Sequence, residues 1–221
     1  MDILSTSLLH ADEVAQLGDL LISDESLWLD GRLTAGEFAA KVKSNKQLNP
    51  SSKECEKATQ IVSSRLKAHP LIKSFSLVRR VHSILFSRSE VGDGYGWHVD
   101  NPFAKLGRRD LSFTLFLTEP SSYCGGELEV QNMQGSDSYK LAAGEVLIYP
   151  STALHCVREI TSGVRLVCVG WIESYVPSHE DRLLLFNLDA GAKGLLARHG
   201  RSAELDLIYQ AYANAVRRLA G

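Results

Sequence analysis

The chain has 221 residues, 44% of them hydrophobic and 23% charged, and 24 Lys and Arg against 26 Asp and Glu leave a net charge of −2. That length supports one sizeable core with a small appendage and excludes two large domains, while a near-neutral charge gives no global field for holding nucleic acid or an anionic membrane. Acidic Asp2, Asp12 and Glu13 stand where a basic leader would lie, and no apolar run approaches a membrane span, so a cytoplasmic protein without membrane or nucleic-acid partners is expected.

In chain order, the first 70 residues read as helical. Val14, Leu17, Leu20 and Leu21 fall at helical spacing, and a second short pattern runs from Thr34 through Phe38 to Val42. Ser51-Ser52-Lys53-Glu54 has the form of a capping box ahead of Ile61, Val62 and Leu66, with Pro70 closing that helix. From Phe75 to Trp171 the texture changes to short β-branched and aromatic runs between turn residues, as in an antiparallel barrel or sandwich. The expected strands are 75–87, 111–117, 127–131, 145–149, 154–160 and 164–172. Helical texture returns after Pro177; there Ser202 can cap a helix with Leu205, Ile208, Tyr212, Ala215, Val216 and Leu219 on one face, to dock on the sheet or on a partner chain. Cys55, Cys124, Cys156 and Cys168 are too few and too irregular for a disulfide framework or a zinc clip, and read as reduced thiols.

The strongest local signal is Tyr95-Gly96-Trp97-His98-Val99-Asp100. In an extended segment residues two apart point the same way, so His98 and Asp100 can share one metal ion. That pair is weak on its own; His155, after the turn at Pro150-Ser151, supplies a third ligand. Two imidazoles and one carboxylate form the facial triad suited to non-haem Fe(II) with open positions. Arg165 lies in Val164-Arg165-Leu166-Val167-Cys168-Val169, a strand apolar on both faces, where an unpaired guanidinium is costly. It therefore needs a carboxylate, either from a ligand or from Glu127, Glu129 or Glu145. The remaining histidines, His10, His69, His82, His179 and His199, lack a partner at ligand spacing.

These residues carry a resemblance. The chain resembles the Fe(II)/2-oxoglutarate-dependent dioxygenases of the prolyl 4-hydroxylase-like superfamily, specifically the bacterial PKHD-type hydroxylases. Ordered matches run from Trp28-Leu29-Asp30-Gly31 through Tyr95–Asn101, Asp110–Leu117, Gly125-Gly126-Glu127-Leu128, Ala143-Gly144-Glu145 and Leu154-His155 to Trp171-Ile172 and Arg182-Leu183-Leu184. The resemblance implies a mainly β fold with flanking helices, a double-stranded β-helix or jelly-roll barrel. It divides the chain into a dioxygenase domain over 1–176, helical to 70 and jelly-roll over 71–176, and a helical extension over 177–221. It implies Fe(II) on His98, Asp100 and His155, the distal carboxylate of 2-oxoglutarate on Arg165, and ascorbate as reductant. Hydroxylation of a C–H bond in a protein side chain or small molecule would accompany decarboxylation of 2-oxoglutarate to succinate, with O₂ as the other substrate; members have also been linked to bacterial iron homeostasis. One departure stands out: Phe86-Ser87-Arg88-Ser89 replaces the usual Phe-Asn-Arg-Tyr, so the tyrosine that helps position the cosubstrate is a serine at 89.

Other readings share these residues. A cupin-like metal-binding or iron-sensing protein would use the same barrel without turnover, and a zinc hydrolase would use a His₂Asp site to activate water. The buried arginine favours the dioxygenase. Lys105, Arg108 and Arg109 follow the metal motif in an expected loop, where an acidic substrate could bind, and a homodimer would pair through the C-terminal helix.

Overall fold

The computed structural model describes residues 3–34 and 42–221. The expected Thr34–Val42 helical pattern falls mostly on 35–41, outside the described residues. Two antiparallel sheets dominate. The major sheet has seven strands: β1 (Leu4–Ser7), β13 (Glu145–Pro150), β9 (Leu111–Phe116), β16 (Arg165–Ser174), β5 (Val78–Ser89), β4 (Lys46–Leu48) and β2 (Trp28–Asp30), in that order across it. The minor sheet runs β12 (Gly135–Tyr139), β11 (Leu128–Asn132), β14 (His155–Val157), β6 (Gly94–His98) and β3 (Lys43–Ser44). Two short ribbons, β7–β8 (Phe103–Ala104 with Gly107–Arg108) and β10–β15 (Cys124–Gly125 with Ile160–Ser162), complete the strands among the described residues.

Strand β9 shows how the sheet separates core from cavity. All six of its residues are buried. Alternation sends Leu111, Phe113 and Leu115 into the core beneath the helices, while Ser112 and Thr114 line the space between the sheets. Helix α1 (Ala11–Ile22) and helix α2 (Lys53–Ala68) cover the outer face. In α2, Cys55, Ala58, Val62 and Leu66 recur at three- and four-residue intervals, and all are buried.

Several local expectations are corrected. The first 70 residues are not all helical, because β1, β2, β3 and β4 are short strands that extend the two sheets. Ser52, one residue later than the box required, caps α2 by accepting from Cys55 N at 3.1 Å. Pro70 does not close that helix but opens α3 (Pro70–Ser76) from its first position, where a missing N–H costs nothing. Phe75 is therefore helical, and the following strand starts at Val78. The expected 154–160 strand divides into β14 and β15.

After β16 come α4 (His179–His199) and α5 (Ala203–Leu219). Ser202 caps α5 through Leu205 N. The apolar face of α5 is spent within the chain: Leu205 is buried, Ile208, Tyr212, Val216 and Leu219 are half-buried, and α5 packs on α4. Helix α4 is tied to α3 by an edge-on Phe75–Phe186 pair and by Ser74 Oγ donating to Asp189. All four cysteines are free, and only Cys124 is exposed. Among the described residues no helix is long and apolar enough to cross a membrane.

Candidate functional site

A cavity of about 740 Å³ lies between the sheets, lined from both. It holds all four residues singled out in the sequence. His98 ends β6 and sits directly across from His155 on β14, with ring centroids 4.2 Å apart. Asp100 follows two residues beyond the strand. One donor atom from each of these three lies within 4.8 Å of the others, close enough to hold one metal ion.

The imidazoles are oriented alike. Nδ1 of His98 donates to Gly96 O at 2.8 Å and Nδ1 of His155 donates to Ala153 O at 3.0 Å, the tautomer that leaves each Nε2 as a lone-pair donor. Burial and the neighbouring His155 push the His98 imidazole down to about 4, so it is neutral at pH 7. Asp100 Oδ2 accepts from Ser112 Oγ at 2.6 Å and from Trp171 Nε1 at 2.9 Å, and Ser112 is in turn bonded to Ser151. Thus the minor sheet supplies the imidazoles, while β9 and β16 of the major sheet hold the carboxylate. Tyr95 stacks on His98 at 3.6 Å, and burial pushes its phenol up to about 12.

Arg165 opens β16 beside Ser89 of β5, is buried, and faces the cavity. None of the three expected protein partners holds it. Glu129 pairs with Arg158 at 2.7 Å, Glu127 approaches Lys140 at 3.9 Å, and Glu145 accepts from Ala142 N. Among the described residues Arg165 Nε has no hydrogen-bond partner. Burial lowers its affinity for the proton, and the nearby Tyr123 partly offsets this, although the Tyr123 hydroxyl makes no well-formed hydrogen bond. The ion-pair reading is therefore not what the structure shows: Arg165 is a buried cation aimed at open space.

Sequence reasoning missed the residues that brace the carboxylate. Ser112, Ser151 and Trp171 come from three segments, and only tertiary register brings them to Asp100. Of the other histidines, His69 accepts from Ile72 N and His82 bonds Arg108 O, both local structural roles.

A family model described as the 2OG-Fe(II) oxygenase superfamily matches residues 84–173, a span that contains His98, Asp100, His155 and Arg165. A PKHD-type hydroxylase of Synechococcus sp. (strain CC9902) is 67% identical over 221 residues, covering 100% of both chains. Another, of Prochlorococcus marinus (strain MIT 9313), is 56% identical over 99% of each. The chain belongs to the PKHD-type hydroxylase family. It is an oxidoreductase, and the superfamily of these hydroxylases is one that uses Fe(II) and 2-oxoglutarate. Solved structures agree on the fold. A prolyl-4-hydroxylase of Pseudomonas putida has a TM-score of 0.56 at 20% identity, covering 78% of this chain and 92% of that one. A prolyl hydroxylase of Trichoplax adhaerens, solved with a hypoxia inducible factor peptide, has a TM-score of 0.62 at 15% identity, covering 82% and 86%. The jelly-roll expected from the sequence agrees with this fold, in which the two main sheets share no ladder among the described residues.

Proposed function

We propose that the chain is an Fe(II)- and 2-oxoglutarate-dependent dioxygenase that hydroxylates a C–H bond of a substrate entering the cavity. Residues 1–176 form the catalytic domain and 177–221 a helical extension. The observation that carries this reading is the pairing, in one cavity, of a three-donor cluster with a buried guanidinium that, among the described residues, has no carboxylate within ion-pair distance. A metal store needs the first but not the second.

The donor set fits the metal. Two neutral imidazoles presenting Nε2 and one anchored carboxylate match the facial arrangement that suits Fe(II). The guanidinium fits the cosubstrate, since the planar fork of Arg165 suits a carboxylate and desolvation strengthens that pairing. When bound, Fe(II) with 2-oxoglutarate and O₂ would supply the oxidising chemistry, O₂ giving one oxygen atom to the substrate's C–H bond and the other to succinate as 2-oxoglutarate loses CO₂. The chain's own part is to position and enclose. His98 and His155 are locked by backbone carbonyls, Ser112 and Trp171 fix the plane of Asp100, and Arg165 sets the depth to which a dicarboxylate enters. Val167 and Leu128, both buried, line the cavity with apolar surface. Ser89 leaves room where related enzymes carry tyrosine, so Arg165 bears most of the anchoring.

The reading extends to ascorbate as reductant, to a cytoplasmic location and to a role in iron homeostasis. It also extends to a homodimer through the outer face of α5, where Leu207 is exposed, with a doubled mass by light scattering as the check. The function is tested by following 2-oxoglutarate conversion to succinate by the Fe(II)-loaded protein, together with calorimetric titration of 2-oxoglutarate. Arg165→Gln is expected to weaken 2-oxoglutarate binding at least a hundredfold while metal affinity stays within a few-fold. Unchanged 2-oxoglutarate affinity in that variant would remove Arg165 from the site.

A further inference from the structure

The walls around Arg165 are unequal. Strand β16 carries it between β9 and β5. On the β9 side the Phe116 ring closes in, 5.7 Å from the guanidinium and across from Val167 in register. Behind, a Cβ added to Gly126 would lie 2.8 Å from Arg165 Cδ and 3.1 Å from the Tyr123 ring, so that side is packed to contact. The β5 side differs. Ser89 pairs directly with Arg165 and Ser87 with Val167, and Gln47 of β4 lies across from Ser87 on its other side. Gln47, Ser87 and Ser89 are only 4%, 6% and 3% exposed, yet each lines the cavity.

Paired residues of neighbouring antiparallel strands sit about 5 Å apart with their side chains on one face. Arg165 is long and Ser89 stops at its hydroxyl, so an open column stands beside the guanidinium over β5. Its floor is polar and neutral, made of two hydroxyls and a carboxamide. Asn45 Nδ2 donates to Ser87 Oγ, so that hydroxyl has its own proton to give elsewhere. A dicarboxylate reaching from Arg165 towards the metal cluster would run along β16 over Val167, with β9 and β5 on its flanks. A substituent on the carbon beside its distal carboxylate then meets Phe116 on one flank and Ser87 and Ser89 on the other. An apolar substituent there would strip water from polar groups without replacing it, whereas a hydroxyl would replace it.

We propose that the lobe formed by Gln47, Ser87 and Ser89 widens the cosubstrate site to 2-oxo dicarboxylates that carry a hydroxyl on the carbon next to the distal carboxylate, with Ser89 setting this tolerance. The inference rests on the dioxygenase reading and concerns which 2-oxo acids that site accepts. Ser89 outranks its neighbours because it stands beside the guanidinium itself, where the family resemblance leads one to expect tyrosine and where a ring would fill the column.

Mn(II)-loaded full-length protein is titrated calorimetrically with 2-oxoglutarate, with each enantiomer of 4-hydroxy-2-oxoglutarate, and with 2-oxoadipate, which adds a methylene instead of a hydroxyl. One enantiomer is expected to bind within about fivefold of 2-oxoglutarate, and the other enantiomer and 2-oxoadipate about tenfold or more below the first. In Ser89→Tyr the affinity ratio of the accepted hydroxy acid to 2-oxoglutarate should fall about tenfold, and in Ser89→Ala, which keeps the room and removes the hydroxyl, about threefold. Melting temperatures report folding, and Ser89→Ala keeps the ratio measurable should the tyrosine not be accommodated. Rejection of both enantiomers beyond that limit, equal binding of the two enantiomers or of 2-oxoadipate, or a ratio unmoved in the folded variants would overturn the lobe. Failure of 2-oxoglutarate itself to bind would take down the dioxygenase reading, whereas normal 2-oxoglutarate binding with both hydroxy acids rejected would take down the lobe alone.

Discussion

The two sheets divide the work unequally. The major sheet is covered by helices on its outer face and buries Phe113, Leu115, Ile148 and Cys168 almost completely. The minor sheet is thin and wet outside; β12 exposes four of its five residues, yet β6 and β14 carry both histidines of the candidate metal-binding cluster. The difference teaches that the two imidazoles sit on the more exposed layer, while the neighbouring carboxylate is held by the more buried one. The hydrogen bonds to Asp100 from Ser112 and Trp171 cross from one layer to the other. Loops and sheet edges can then vary around a site whose geometry is set by the packed strands.

Substitutions on either side sharpen that contrast. His155→Ala, on the thin sheet, should abolish turnover and weaken Fe(II) binding at least a thousandfold, about 4 kcal/mol, with little change in melting temperature. Phe113→Ala, in the packed sheet, should do the reverse. A buried aromatic lost to a cavity costs roughly 3–5 kcal/mol, read as a drop in melting temperature of about 10 °C, with metal stoichiometry retained in the folded fraction.

Acid should act on the thin sheet first. His98 titrates near 4 in the folded chain against about 6.5 unfolded, so between these values the unfolded chain binds the extra proton. Stability of metal-free protein is therefore expected to fall as pH drops from 6.5 towards 4, by on the order of 2 kcal/mol, and His98→Asn should flatten that slope. A profile identical in wild type and His98→Asn would show that the imidazole is not buried neutral. Trp171→Phe removes one bond to Asp100 across the layers and is expected to weaken metal binding about tenfold, with the fold intact. At the small end, Glu129→Gln breaks an exposed pair with Arg158 and should change neither metal affinity nor melting temperature measurably.

What was legible in the sequence follows the range of the interactions. His98 and Asp100 are two residues apart on an extended segment, and Arg165 is conspicuous as a charge inside an apolar strand, so both signals are local. The long strands of the core show the same way, through apolar runs in β13 and β16 and the alternation of β9. The short strands β1, β2, β4 and β12 do not, because their pairing is dictated by neighbours and not by their own composition; Gly135-Ser136-Asp137-Ser138-Tyr139 is a strand only because β11 lies beside it. Ser112 and Trp171 were invisible as supports for the same reason. Each lies in a run that reads simply as strand, and only the register of β9 against β16, where Ser112 faces Trp171, brings both to Asp100.

The account turns on whether the His98–Asp100–His155 cluster and Arg165 act on one bound cosubstrate. The direct measurement is the visible absorption of anaerobic protein given Fe(II) and then 2-oxoglutarate. The account predicts a weak visible charge-transfer band that appears only with both, vanishes in His155→Ala, and in Arg165→Gln needs far higher 2-oxoglutarate to develop. Metal-loaded protein that shows no band at saturating 2-oxoglutarate would contradict it.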